Sequence, residues 1–447
     1  MNCLCRRWRH NWKCEKGMNA NMEGKKRDRK TSQTEHFGLL FIAIPLLAVI
    51  MFGLLYMMRK DDAEPTKISL QEGTIEIAGK GAAADGNIVT IKRGGRYLIE
   101  GTLRDGQIYV DVGDDEPVLL ELGGVDISNP SEAVIYVEKA EQTMLLLAAG
   151  TENTIQSGVE EDAAIYAEDG LLLAGEGALR VLSGLNNGIQ SKGGLRIAGG
   201  NIEVSAANNG VKGKDFVTID GGNLQIEAGD RGIQAKYEMN IAGGSLKITA
   251  KEGLEANQIL IEGGFIEITA EDDGINANGG EAKQKKNPSK DVVETMPNLT
   301  VQGGVLYIDA EGDGLDSNGN LYIEGGELVI DGPTKDDDGP LDFGKENGGI
   351  CTIADGTVLA IGSSGMAETF DERSEQCSFR CILDAPYEAG SEIVITDSAG
   401  KELYRHTASK KGASVVFSSP ELALGETYIL RVGEQTIEII QDSISVK

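Results

Sequence analysis

A chain of 447 residues with 40% hydrophobic content is long enough to bury a large core, which excludes wholesale disorder. With 60 Gly against 10 Pro and only 5% aromatics, the composition favours short strands and tight turns over helices. The net charge of −29, from 42 Lys and Arg against 71 Asp and Glu, argues against nucleic acid as a partner and points toward cations or a cation-bridged ligand.

The charge is unevenly placed. Residues 1–60 hold 12 of the basic side chains against 4 acidic ones, which leaves 30 against 67, about −37, for the rest. Residues 1–36 read as a basic cytoplasmic tail ("CRRWRH", "GKKRDRK"), with Met18 and Met22 as alternative starts. Residues 37–58, "FGLLFIAIPLLAVIMFGLLYMM", are uncharged and long enough to cross a hydrocarbon layer of roughly 30 Å as a transmembrane helix. The basic flank puts the N-terminus in the cytoplasm and everything after a short linker, residues 59–66, outside the cell membrane. A cleaved signal peptide is the alternative, but no A-x-A-like site follows the stretch.

From residue 67 to 366 the chain repeats itself. A turn glycine recurs at Gly188, Gly210, Gly232, Gly253, Gly274 and Gly314, with Gly339 as a looser match. The period is 21 to 22 residues once an insertion, "GGEAKQKKNPSKDVVETMPN", is set aside as a loop. Each unit runs strand, Gly-Gly, strand, as in "LRIAGGNIEVSA" and "ILIEGGFIEITA". Aliphatic residues two apart mark strands with one buried face, and no unit offers a helix-length apolar face. The expected fold is all-β: a right-handed parallel β-helix whose turns stack at about 4.8 Å. A leucine-rich repeat has a similar period, but its Leu/Asn spacing is absent. Residues 65–176 continue the coil less regularly. Residues 367–447 lose the Gly-Gly rhythm and read as a small antiparallel β domain covering the open end. Cys377 and Cys381 are too far apart on a strand to bridge each other, which leaves a Cys351 disulfide with one of them as an option.

In such a coil every offset from the turn glycine becomes a row. One residue after it stand Ile189, Val211, Ile233, Leu254, Ile275 and Leu315, a core row. One before it stand Asn187, Asn209, Arg231, Glu252, Asp273 and Asp313; two after it stand Gln190, Lys212, Gln234, Glu255, Asn276 and Asp316; four after it stand Lys192, Lys214, Lys236, Asn257, Asn278 and Asn318. One edge is therefore cationic on three turns and acidic on the next three. Like charges about 5 Å apart repel by roughly 0.8 kcal/mol even in water, so each stack calls for compensation. Turn geometry and solvation alone account for Asn, Asp and Lys at single turns; segregation by sign over six turns points further. An oxygen-only donor set suits Ca²⁺ better than zinc or Mg²⁺. The candidate metal ligands are Glu252, Glu255, Asp272, Asp273, Asn276, Asp313, Asp316 and Asn318, and the candidate ligand-binding lysines are Lys192, Lys212, Lys214 and Lys236.

At "DDGINAN" and "GDGLDSN", together with "GTLRDGQIYV", "AAGTENTI", "GSSGM" and "VVFSSPEL", the chain resembles the bacterial cell-surface carbohydrate-binding β-helix proteins. The resemblance implies a fold related to polysaccharide lyases, binding of cellulose or acidic, pectin-like polysaccharide, and bound calcium. The first three turns carry Asn-Asn or Asp-Arg where the family pattern has Asp-Asp, which confines the calcium expectation to 252–318. Both Trp residues, Trp8 and Trp12, lie in the tail, so an aromatic platform for cellulose would rest on Tyr. The expected function is a membrane-anchored extracellular carbohydrate-binding protein. A calcium-dependent polysaccharide lyase, with Lys236 or Lys251 as base, and a structural or adhesive envelope protein are the alternatives.

Overall fold

A computed structural model describes residues 64–447, apart from 114–115, 161 and 279–295. The apolar stretch 37–58 and most of the predicted inserted loop lie outside the described residues. Among the described residues, no helix is long and apolar enough to cross a membrane.

Each repeat contributes one strand to each of three stacks. The first stack has eleven strands among the described residues, and its last six carry the turn glycines or follow them: β1 (Asn187–Ser191), β2 (Val211–Gly213), β3 (Arg231–Ala235), β4 (Glu252–Ala256), β5 (Ile275–Ala277) and β6 (Leu315–Ser317). They pair parallel and in register, with Ile189, Val211, Ile233, Leu254, Ile275 and Leu315 opposite one another turn after turn. All six of these side chains are fully buried, so the core row expected from the sequence runs along the inside of the coil. The other stacks are built by strands such as Gln258–Ile261 and Phe265–Ala270, on either side of the Gly-Gly pair, and these too pair parallel with the turns before and after. The fold is thus an all-β parallel solenoid.

Two kinds of glycine make the coil possible, for different reasons. The second Gly of each Gly-Gly corner, such as Gly222, Gly244 and Gly264, has φ near +100°, a conformation that side chains disfavour. The turn glycines have ordinary φ but no room: a Cβ on Gly253 would lie 2.3 Å from the carbonyl oxygen of Gly274. Close approach of successive turns, not backbone torsion, selects them.

Both ends of the coil are covered. Strand Thr66–Gln71 pairs antiparallel with Thr74–Ala78 and parallel with Gly95–Arg104. At the other end, Gly412–Ser418 pairs antiparallel with the late coil strand Thr357–Gly362 and with Ser378–Tyr387. A four-stranded antiparallel sheet, Glu402–Thr407, Glu392–Asp397, Thr427–Val432 and Gln435–Ile440, completes this small β module. It shares a core with the coil through Leu359 and Ile361, which pack with Phe379 and Phe417. It is tied to the outer face of the coil by His406 Nε2 to Asp331 at 2.9 Å and Lys410 to Asp309 at 2.8 Å. Cys351, Cys377 and Cys381 are buried free thiols, so the optional disulfide is not formed; each packs as a small apolar side chain.

Candidate binding edge of the coil

Side chains one before and two after the turn glycine meet on one edge. Asn276 Nδ2 donates to Asp273 Oδ2 at 2.8 Å within a turn, and Arg231 on β3 reaches Glu255 on β4 across turns. The two rows thus form one double column. Asp273 Oδ1 accepts the N–H of Asp313 at 2.9 Å, and Asp313 Oδ1 accepts the N–H of Gly339 at 2.7 Å, so the carboxylates also lace successive turns together.

The far end of the column converges most tightly. Carboxylate oxygens of Asp313, Asp316 and Asp342 all lie within 4.8 Å of one another. Asp342 was not among the sequence candidates. The bridge between Leu315 and Leu341 places it opposite Asp316, but Pro340 adds a residue between the turn glycine and the strand and breaks the offset. Aligning on Leu341 instead of Gly339 recovers it.

Burial and mutual repulsion act on these groups together. Burial first, then the carboxylates of Asp273, Asp313 and Asp342, push Asp316 up to about 8. Asp313 rises to about 7 through burial and the nearby Asp273 and Asp342, partly offset by the Gly339 N–H. Asp273 rises to about 6 and Glu252 to about 7, with burial the main cause in each. Two buried oxygens in the same column, Glu252 Oε2 and Asn276 Oδ1, have no hydrogen-bond partner, although their residues are only 8% and 9% exposed. A buried acceptor left without a donor is costly. Crowded carboxylates plus orphaned oxygens, with no nitrogen or sulfur ligand among them, fit a hard cation such as Ca²⁺. The residues that would hold it are Asp313, Asp316 and Asp342, flanked by Asp273 and Asn276, whereas Glu252 already receives Arg231 Nη2 through its other oxygen at 3.3 Å.

The remaining carboxylate candidates are engaged otherwise. Glu255 already receives Arg231 Nε, Gln234 Nε2 at 2.9 Å and Asn278 Nδ2 at 3.0 Å. Asp272 pairs with Lys251 at 3.3 Å on the exposed side. Asn318 belongs to the row four after the glycine, where its N–H donates to the Ala277 carbonyl at 2.9 Å.

The lysines divide as well. Lys192 Nζ pairs with Glu168 at 2.8 Å and sits 5.4 Å from the centre of the Tyr166 ring. The Glu168 carboxylate and the Tyr166 hydroxyl hold its ammonium above the usual lysine range. Lys236 lies 5.1 Å from the centre of the neighbouring Tyr237 ring. Lys212, Lys214 and Lys236 take part in none of the ion pairs among the described residues, whereas Lys251, Lys247 and Arg231 on adjoining turns all do.

Below β1 the row two after the glycine becomes aromatic, a feature the less regular early repeats concealed. Tyr109, Tyr136 and Tyr166 stand opposite one another in register and lead into Gln190. Their rings stack at 5.7 and 5.1 Å. Lys92 covers the outer face at Tyr109 and Lys192 the face at Tyr166, so the tyrosines spend their ring faces on each other and on cations.

A stacked parallel coil with one polar, sign-segregated edge defines a β-solenoid with an extended, repeating surface. The chain belongs to the family described as carbohydrate-binding domain-containing proteins, whose model matches residues 85–339. A protein of that same description from Acetivibrio thermocellus is 39% identical over 128 residues, which is 26% of this chain and 45% of the relative. The match thus spans less than half of that relative's length. A solved structure of a polysaccharide lyase-like protein from C. thermocellum, a gadolinium derivative, shares 33% identity over 48% of this chain and 90% of its own, with a TM-score of 0.41.

Proposed function

We propose that this carbohydrate-binding chain captures acidic, pectin-like polysaccharide at the outer surface of a cell membrane, using Ca²⁺ in the acidic column and lysines on the turns beside it. The observation that carries this reading is the adjacency of two sets of charges on one edge: lysines at 212, 214 and 236 that take part in none of the ion pairs among the described residues, and, from Asp273 onward, a crowded column whose tightest cluster is Asp313, Asp316 and Asp342. Turns stacked about 4.8 Å apart repeat each contact at a spacing close to that of successive sugars in an extended polymer. Affinity then comes from repetition along the chain rather than from any single exposed pair. Cellulose is the less favoured ligand. The large exposed aromatics among the described residues are Tyr237, Phe265 and Tyr307, and the Phe265–Tyr307 pair is tilted by 57°, which does not make a flat platform.

A lyase reading requires a lysine that gives up its proton near C5 of a uronate. The Asp272 hydrogen bond holds Lys251 above the usual lysine range, the wrong direction for a base. Anchoring rests on the apolar stretch 37–58 and its basic flank, with the N-terminus cytoplasmic. An envelope protein with a purely structural role is the remaining alternative. The deciding experiment is retention of the protein on immobilised polygalacturonate and on cellulose, with calcium and with chelator. Calcium-dependent retention on the acidic matrix alone is expected; equal retention on both, indifferent to chelator, would overturn the reading.

A further inference from the structure

The acidic column ends abruptly at β3, and the residue that ends it is Arg231. Its three guanidinium nitrogens each take a different carboxylate: Nη1 donates to Asp230, Nη2 to Glu252 at 3.3 Å, and Nε to Glu255. The side chain is three-quarters buried, and a guanidinium does not shed its proton in proteins, so this charge is permanent. What surrounds it is made of oxygen. Besides the three carboxylates, Gln234 gives its Nε2 to Glu255 and leaves Oε1 buried without a donor, and Glu252 Oε2 is likewise without one. One turn further on, the same double column continues with Asp273 and Asn276, where no basic side chain is bonded to either.

From this we infer that Arg231 is the protein's own resident cation: it fills with a guanidinium the place that a divalent ion takes further along the column, and removing it opens an additional divalent-cation site formed by Asp230, Glu252 and Glu255. The inference rests on the cation reading of the acidic turns given above. Its functional consequence is a fixed boundary. Arg231 holds the ions to the turns from Asp273 onward and keeps them off the turns of Lys212, Lys214 and Lys236, so a polymer carboxylate meets either an ion or a lysine. An Arg at this position, two turns after Asn187 and one turn after Asn209 in the same row, separates the two modes.

The test is calorimetric titration of the full chain with calcium chloride, comparing the unaltered protein, Arg231→Gln and Arg231→Lys. Arg231→Gln is expected to bind one more ion per chain and Arg231→Lys none, because the lysine keeps the charge. In chelator, Arg231→Gln should melt below the unaltered protein, and excess calcium should close the gap. If Arg231→Gln fails to fold without calcium, the readout is recovery of its β-sheet circular dichroism on adding the ion. Unchanged stoichiometry in Arg231→Gln, or a stability defect that excess calcium does not repair, would reduce Arg231 to a structural ion pair and overturn the inference. Failure of the unaltered protein to bind calcium is a separate result: it overturns the cation reading of the Asp313 cluster, whereas the inference about Arg231 turns on what the variant gains.

Discussion

Asn276 gives its amide nitrogen to Asp273 at 2.8 Å and thereby leaves its own carbonyl oxygen buried, without a donor, one turn from Asp316. The donor is spent on a carboxylate, and the oxygen that remains is an acceptor in a column already crowded with carboxyl groups. Calcium is therefore expected to raise the melting temperature of the protein, since a ligand that binds only the folded state at about 100 times its Kd contributes about 2.7 kcal/mol. Asp316→Asn should melt higher than the unaltered protein in chelator at pH 8, because it removes a repelled charge, and should gain less from calcium. Scanning calorimetry with and without chelator checks both. An Asp316→Asn protein with an undiminished calcium gain would take Asp316 out of the site.

Stability without cations should fall as pH rises. Ordinary carboxyls titrate near pH 4, whereas Asp273, Glu252, Asp313 and Asp316 do so at about 6, 7, 7 and 8 in the folded chain. Between about pH 4 and 8 the folded state thus holds more protons than the unfolded one, and stability decreases with pH across that window. Calcium, which favours the ionised forms, should flatten the slope and release protons on binding at pH 7. Melting curves at pH 5 and pH 8 in chelator give the sign directly. A higher melting temperature at pH 8 would contradict the assigned burial of these groups.

The turn glycines should be intolerant of even one methyl group. In Gly253→Ala the new Cβ lies 2.3 Å from the Gly274 carbonyl and 2.5 Å from Ile268. Overpacking of this kind costs about 1–3 kcal/mol. Gly113→Ala, where a Cβ meets nothing within 4 Å, is the control and should be nearly neutral. Urea denaturation of the two variants distinguishes crowding between turns from a general effect of replacing glycine.

The coil was legible because its determinants are periodic. The turn glycine, the aliphatic residue after it and the Gly-Gly corner recur at one spacing, and register follows. What the sequence concealed lies where offset or reach departs from that period. Pro340 shifts Asp342 by one position. Arg231 was grouped with the cationic turns by its own place, yet its long side chain acts on Glu252 and Glu255, a turn away. Lys192 read as the first of three equivalent lysines, but the turn before it, outside the regular repeats, supplies Glu168 and Tyr166. Side-chain reach across a stacking distance of about 4.8 Å is a property of neighbouring turns, and it is not encoded at any one position.

That difference among the lysines sets the last prediction. Lys212 and Lys214 on one turn and Lys236 on the next take part in none of the ion pairs among the described residues and stand next to the acidic column, so they are the ones left to meet a polymer carboxylate. A lysine donates as a point charge and tolerates variation in the angle of approach, which suits a ligand presenting carboxylates along a flexible chain. Each exposed contact contributes about 0.2–1 kcal/mol, so replacing all three with Gln should weaken binding to polygalacturonate about 3- to 100-fold. The loss should shrink at roughly 1 M salt, where the screening length is about 3 Å. The melting temperature should hold, since no ion pair is broken. Lys192→Gln is the contrasting variant: it removes the ion pair of Glu168 and leaves that carboxylate the Tyr166 hydroxyl, so its effect belongs to stability rather than to binding. Affinity electrophoresis in gels containing polygalacturonate, run at low and high salt, reads out the comparison. Equal retardation of the triple variant and the unaltered protein at low salt would remove these lysines from the binding edge and leave the acidic column as the sole point of attachment.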